Sequence, residues 1–355
     1  MSRYLSSRFA DLVPYVAGEQ PATLADKIKL NTNENPFPPS PRALAYAADA
    51  AKTLQLYNDT RCVKLKEALA RCYQVEPEQI LCANGSDEAL DLCFQAFCDE
   101  NQPALFPDIT YGFYKVVAAA DRVPYTEIPL AEDMRIRLSD YEGQKGTIFL
   151  ANPNAPTGIA LPRDEIEALI ASRPEQVVVV DEAYIDFGGE SCVPLVNRYP
   201  NLVVTMTFSK SRSMAGARLG FAIASRELIA DLETLRNSRN PYNVNAMTQA
   251  AGLGTLEDAE YTRANVRTIC QNREFLTTEL VNRGFEVLPS SANFVFAAHP
   301  GVDGEALYQR LKEKNIFIRH FSAQRLNRYN RITVGTRAQI QTLLAEIDDI
   351  MGVGK

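Results

Sequence analysis

The chain has 355 residues, 46% of them apolar and 23% charged, with a formal net charge of −7. That balance fits a soluble globular protein long enough for two domains, and it argues against a nucleic-acid partner, which calls for a basic excess. No window approaches the ~18 uninterrupted apolar residues of a membrane span. The first twenty residues, with Arg3, Arg8, Asp11 and Pro14, lack the apolar core of a signal peptide, so a cytoplasmic protein is expected.

Seven scattered cysteines form no C-x-x-C pair, and a disulfide framework is not expected. The only histidines are His299 and His320. They cannot build a His-rich metal site, and neither lies near a G-x-S-x-G turn that a Ser-His-Asp triad would use.

Residues 1–30 read as an arm with little periodicity. Residues 31–39 read as an ordered polar loop, because Pro36, Pro38 and Pro39 forbid regular helix or central strand. Helices are predicted over 41–54 and 65–72, then a brief strand at 80–83. Asn84-Gly85-Ser86-Asp87-Glu88 follows and opens an amphipathic helix, with Ala89, Leu90, Cys93, Phe94 and Phe97 at helical spacing. Strands at 104–106, 147–150, 177–180, 202–206 and 219–224 alternate with helices over 111–120 and 162–170. The run 177–180 is apolar on both faces, as at the centre of a parallel sheet. Residues 246–283 read as helical. Strands at 285–288, 293–296, 316–318 and 331–334 follow, with helices at 304–314 and 337–351. The pattern predicts an α/β protein with an arm (1–30) associated with the small domain. A large domain with a mainly parallel sheet flanked by helices (31–240) and a smaller α+β domain (241–355) complete it.

In open parallel sheets, ligands bind outside the carboxyl ends of the strands. Residues at those ends therefore carry the functional reading. Gly85, Ser86 and Asp87 open a helix, where free N–H groups suit an anion; a plain helix cap is the alternative. Other strand ends supply Asn154, Asp181, Tyr184, Ser209 and Lys210, with Arg218 eight residues past the lysine. One ligand uses them all: a pyridine ring with a phosphate tail and an aldehyde. Asp181 is placed to hold the ring nitrogen's proton, and Asn154 and Tyr184 to donate to the phenolic oxygen. The N–H groups near Ser86, with Ser209 and Arg218, suit the phosphate. Lys210 is the amine for the aldehyde and afterwards a proton carrier. Tyr111 lies on the ring face or is an ordinary core aromatic.

Six motifs occur in order. They are Asn84-Gly85-Ser86-Asp87-Glu88, Thr110-Tyr111-Gly112, Asn152-Pro153-Asn154-Ala155-Pro156-Thr157-Gly158, Asp181-Glu182-Ala183-Tyr184, Thr207-Phe208-Ser209-Lys210 and Ala215-Gly216-Ala217-Arg218. Together, with Lys210 twenty-nine residues after Asp181, they resemble the pyridoxal-phosphate aminotransferases of the aspartate-aminotransferase fold. Each motif alone is weak. The likeness runs from Asn31 to Gly335 and is greatest toward the class II, histidinol-phosphate branch. It implies the fold called type I, with pyridoxal 5'-phosphate as cofactor. The implied cofactor contacts are Tyr57, Gly85, Ser86, Asp87, Tyr111, Asn154, Asp181, Tyr184, Thr207, Ser209, Lys210 and Arg218. It also implies a homodimer in which Tyr57 reaches the other subunit's phosphate. The implied reaction passes an amino group from histidinol phosphate to 2-oxoglutarate, giving imidazole acetol phosphate and glutamate. Tyr15, Asn33, Arg319 and Arg331 match substrate-facing segments, with a surface ion pair as the alternative for each arginine. Aromatic amino-acid transamination and threonine-phosphate decarboxylation are the alternative activities. One departure is Ile109 where the family often has proline.

Tyr111-Gly112-Phe113-Tyr114-Lys115 also matches the Y-x-x-x-K of short-chain dehydrogenases. No glycine-rich dinucleotide turn accompanies it near the N-terminus.

Overall fold

The computed structural model describes residues 2–23 and 26–352. Seven strands form the main sheet, in the order Ile80–Ala83, Gly220–Ala224, Leu202–Thr207, Val178–Asp181, Thr147–Ala151, Ala104–Pro107, Tyr125–Ile128. Gly220–Ala224 runs antiparallel to both its neighbours, and all other pairs are parallel. The five central strands, from Gly220–Ala224 to Ala104–Pro107, are buried throughout. Both faces are therefore covered, as a parallel sheet requires. One apolar cluster lies on each face, around Ile148, Val180 and Val204 on one side and Phe94, Phe149 and Val203 on the other. This alternation along each strand follows from the two-residue period of strand side chains.

A second sheet of four antiparallel strands has the order Arg319–His320, Tyr329–Thr333, Phe294–Ala298, Glu286–Val287. Helices Ala259–Asn282, Gly304–Glu313 and Arg337–Met351 pack around it through Leu276, Leu311 and Ile347. The chain start joins this body, because Ile28–Lys29 pairs in parallel with Ile316–Phe317.

Several expectations change in detail. The helical stretch 246–283 breaks at Asp258 into Ala246–Glu257 and Ala259–Asn282. The single strand at 316–318 is two short pieces that serve different partners: Ile316–Phe317 pairs with Ile28–Lys29, and Arg319–His320 joins the small sheet. Residues 111 and 112 precede the helix Phe113–Asp121, which Gly112 caps. That frees the Tyr111 ring from the helix surface. The edge strand Tyr125–Ile128 and the helix Arg226–Arg239 are additions. The strand is half-exposed and carries Glu127, so it lacks the apolar run that marks its neighbours.

Candidate active site

The register fixes where the chemistry sits. Asp181 ends its strand level with Ala151 and Thr205, while Thr207 pairs with Gly220 and Gly220 with Ala83. The carboxyl ends of four strands and the start of the antiparallel Gly220–Ala224 thus converge on one place. A cavity of about 230 Å³ opens there, lined by Ser86, Asp87, Tyr111, Asp181, Tyr184, Thr207, Ser209, Lys210 and Arg218, with Thr32 and Glu34 from the loop before the first helix.

Glycine makes the floor. A Cβ on Gly220 would come within 2.2 Å of the Ser86 nitrogen, so the strand must be bare there for the helix start to sit over the sheet. Gly85 is at φ +85°, and a Cβ on it would meet Arg218 Nη2 at 2.5 Å. Gly85 is itself the N-cap of Ser86–Phe97, with no side-chain cap. The capping role considered for Ser86 and Asp87 is therefore absent, and the first N–H groups of this twelve-residue helix face the cavity end without a side-chain acceptor. Arg218 stands over them, with Nη2 2.6 Å from Asp87 Oδ2. Ser209 and Thr207 join through their hydroxyls at 3.0 Å.

Asp181 is 4% exposed. Burial pushes its carboxyl up to about 6, while a hydrogen bond from Tyr114 Oη to Oδ2 (3.1 Å) opposes that rise. No cation meets Asp181 among the described residues. Lys210 Nζ donates to the Thr32 carbonyl at 3.3 Å and lies 5.6 Å from the centre of the Tyr184 ring. Tyr184 Oη accepts from Asn33 Nδ2 at 2.9 Å. Tyr111 donates to Asp87 Oδ1 at 2.9 Å, and burial drives its phenol upward.

Two residues that sequence reasoning missed support this set. Tyr114, fully buried, braces Asp181. Asn35 Nδ2 reaches the carbonyls of Lys210 (3.0 Å) and Ser211 (3.1 Å), clasping the lysine's own backbone. Its signal was an Asn just before Pro36, a turn-forming pair. A third brace links the two loops: Asp186 accepts from Ser211 Oγ and from Arg212 Nη1 (3.2 Å), and Arg212 Nη2 also donates to Tyr73 Oη (2.7 Å).

A second, wider cavity adjoins the first and shares Thr32, Tyr111, Tyr184 and Lys210 with it. Tyr15, Asn33, Arg319 and Arg331 all line it, together with Phe321. Tyr15 lies edge-on to Tyr111 (6.2 Å) and Phe113 (6.1 Å), so the arm bridges to the main sheet's side. Arg331 is deeply set between Phe294 (5.4 Å) and Phe321 (5.6 Å). Its Nη2 donates to the Asn31 carbonyl at 3.0 Å, its Nε is buried without a partner, and no acid pairs with it among the described residues. Burial lowers its affinity for its proton. Arg319 likewise has no acid, only the Val16 carbonyl at 3.5 Å and the Phe321 ring at 5.6 Å. Among the described residues, neither arginine makes the surface ion pair.

Three expected residues do not line the first cavity. Asn154 lies behind it, its Nδ2 on the Ile109 carbonyl (3.0 Å) and Thr157 Oγ1 (3.2 Å), its Oδ1 accepting from Thr110 (2.7 Å). Gly85 sits beneath Arg218. Tyr57 is 84% exposed and stacks on Tyr242 at 4.5 Å.

The donor set fits a phosphorylated pyridine aldehyde. Among the described residues, a buried acid without a cation suits a protonated ring nitrogen, an uncapped helix start with an arginine suits a phosphate, and an amine outside any ion pair suits a carbonyl.

Comparison with known proteins agrees. The family model described as "Aminotransferase class I and II" matches residues 25–347. "Histidinol-phosphate aminotransferase 1" of Bradyrhizobium diazoefficiens is 47% identical, covering 99% of this chain and 100% of that protein. "Histidinol-phosphate aminotransferase 1" of Bordetella parapertussis is 48% identical over 99% of each. The crystal structure of histidinol-phosphate aminotransferase from Sinorhizobium meliloti, in complex with pyridoxal-5'-phosphate, superposes with a TM-score of 0.87 at 25% identity, covering 99% of both chains. With strand ends, cavity and end-to-end likeness in agreement, the chain belongs to the class I and II aminotransferases and is a pyridoxal-phosphate-dependent enzyme.

Proposed function

We propose that this enzyme is a histidinol-phosphate aminotransferase, passing the amino group of histidinol phosphate to 2-oxoglutarate. The observation that carries the reading is near-half identity, end to end, with relatives of that name. Arg331 supports it: a half-buried guanidinium whose Nε is buried without a partner, and which pairs with no acid among the described residues, is suited to receive an anion. Arg319 widens that receptor. One pocket can then take the donor's phosphate and, in the second half-reaction, a carboxylate of the acceptor.

When bound, the cofactor supplies an aldehyde that takes up the amino group and a ring that draws electron density from the reacting carbon. Lys210 Nζ is the amine that would hold the aldehyde, and as a base it would take the proton from the donor's α carbon. Asp181 keeps the ring nitrogen protonated, and Tyr111 covers the ring face. Tyr184 would donate to the phenolic oxygen, while Asn154, its amide committed to the Ile109 carbonyl and Thr157, braces the wall behind. The N–H groups at Ser86 and Asp87, with Thr207, Ser209 and Arg218, would bind the phosphate; the Gly85 N–H is taken by the Ala83 carbonyl (2.9 Å), and Gly85 serves by leaving room for Arg218. Tyr15 and Asn33 close over the substrate side.

The proposal includes a homodimer. Tyr57, beside the exposed Leu54 and Leu56, forms an outward apolar patch that a second copy would cover, bringing Tyr57 to that copy's phosphate. A cytoplasmic location is part of the same reading; among the described residues no helix is long and apolar enough to cross a membrane.

The test is to incubate the purified, cofactor-loaded enzyme with histidinol phosphate and 2-oxoglutarate and to assay glutamate. Glutamate is expected. Turnover of phenylalanine but not of histidinol phosphate would move the assignment to an aromatic aminotransferase. Release of carbon dioxide from threonine phosphate would move it to a decarboxylase.

A further inference from the structure

The substrate-side cavity has a wall formed by residues 321–328, the loop between Arg319–His320 and Tyr329–Thr333 of the small sheet. This loop carries Phe321, whose ring touches both arginine forks and packs edge-on to Phe296 at 6.0 Å. Where the loop sits therefore sets where the anion receptor sits.

One side chain ties the loop to the opposite body. Arg325 Nη1 donates to Asp108 Oδ2 at 3.0 Å, and Nη2 donates to the carbonyls of Leu130 and Ala131, each at 3.0 Å. All three acceptors belong to the main sheet's side, just past the ends of Ala104–Pro107 and Tyr125–Ile128. The acceptor end is itself fixed: Asp108 Oδ1 accepts from the Leu130 nitrogen (2.8 Å), and the Asp108 nitrogen donates to the Ile128 carbonyl (2.9 Å). Next to Arg325, Leu326 is buried in the same apolar cluster as Ile109 and Leu130. A planar fork with separate donors is what three acceptors in this arrangement require; a lysine supplies a point charge without that shape.

We propose that Arg325 is a positioning residue for substrate binding. By gripping Asp108 and the two carbonyls it latches the 321–328 loop across the mouth, and so fixes Phe321 and the arginine pair against the donor's anionic end. This rests on the reading that the cavity takes the amino donor. Arg325 touches neither cofactor nor reacting atoms, so its loss should change donor binding and spare the chemistry.

The test uses the cofactor-loaded enzyme and the variants Arg325→Ala and Arg325→Lys. Charge-assisted bonds on a partly exposed pair predict that Arg325→Ala raises KM for histidinol phosphate about 10-fold. The kcat should stay within about 2-fold, cofactor affinity should be unchanged, and Arg325→Lys should fall in between. Hydrogen exchange should accelerate across 321–328 and stay as it was across 178–210. Unchanged exchange in 321–328 would overturn the latch, whatever the substrate. So would an unchanged KM in an enzyme whose wild type turns over histidinol phosphate, or a joint loss of kcat, KM and cofactor affinity. A wild type inactive on histidinol phosphate instead removes the substrate assignment, and the exchange measurement still decides the latch.

Discussion

The floor of the first cavity and the wall of the second hold opposite charges set into the protein, one buried and one half-buried, neither in an ion pair among the described residues. On the floor, Asp181 is a nearly inaccessible carboxyl with no cation beside it. On the wall, Arg331 is an enclosed guanidinium with no acid and an unpartnered Nε. A buried charge left unpaired costs free energy. Both costs are unfavourable but the charges differ in sign, so on the proposed function the two regions suit different parts of the ligand: a cation at the ring nitrogen and an anion at the substrate's end.

That contrast can be broken first at Lys210, which lies between the two regions. Replacing it with alanine removes the proton carrier, and turnover should fall by about 10³-fold or more. The long-wavelength absorbance of lysine-held cofactor should vanish with it. Retained absorbance and rate would remove Lys210 from the reaction.

The floor's cost is measurable in the protein without cofactor. The Asp181 carboxyl sits at about 6 in the fold, against about 3.9 in an unfolded chain. The folded state therefore binds more protons between those values. Its stability falls as pH rises from about 4 through 6, and the full cost is present above that window. Asp181→Asn should then stabilise the cofactor-free enzyme at pH 8, by about 1–3 kcal/mol. The gain should shrink to nothing near pH 4. Thermal melts of both proteins across that range check it, and a gain constant with pH would contradict the buried-charge account.

Tyr114 sharpens the same point with a smaller effect. Its hydrogen bond holds the Asp181 carboxyl lower than burial alone would. Tyr114→Phe should move the acid limb of the pH–rate profile upward, with donor KM little changed. An unmoved limb would reduce Tyr114 to packing.

The two regions also differ in how much of them the sequence reveals. Asp181, Ser209 and Lys210 each follow a short apolar run, so strand periodicity alone places them at sheet ends. Gly85 and Ser86 mark a helix start by the same local logic. The main sheet is legible for this reason, apart from the half-exposed strand Tyr125–Ile128. The wall is not built locally. Arg331 meets the Asn31 carbonyl, Asn33 meets Tyr184 and Thr333, and Arg325 meets Asp108, all across long stretches of chain. The pairing of Ile28–Lys29 with Ile316–Phe317 that brings them together is only two residues long, too short for a periodic signal. Arg319 and Arg331 are reached through family likeness; Asn35 has only the turn signal of the Asn-Pro pair, and nothing local marks the roles of Tyr114 and Arg325.

On the proposed function, Arg331 takes the substrate's phosphate. The most direct measurement compares kcat/KM for histidinol phosphate and for histidinol, its form without phosphate, in wild type and Arg331→Ala. Wild type should favour the phosphorylated donor by about 10²-fold or more, and the variant should lose most of that preference, as expected when one partner of a buried charge pair is cut away. Equal preference in the two proteins would contradict the account.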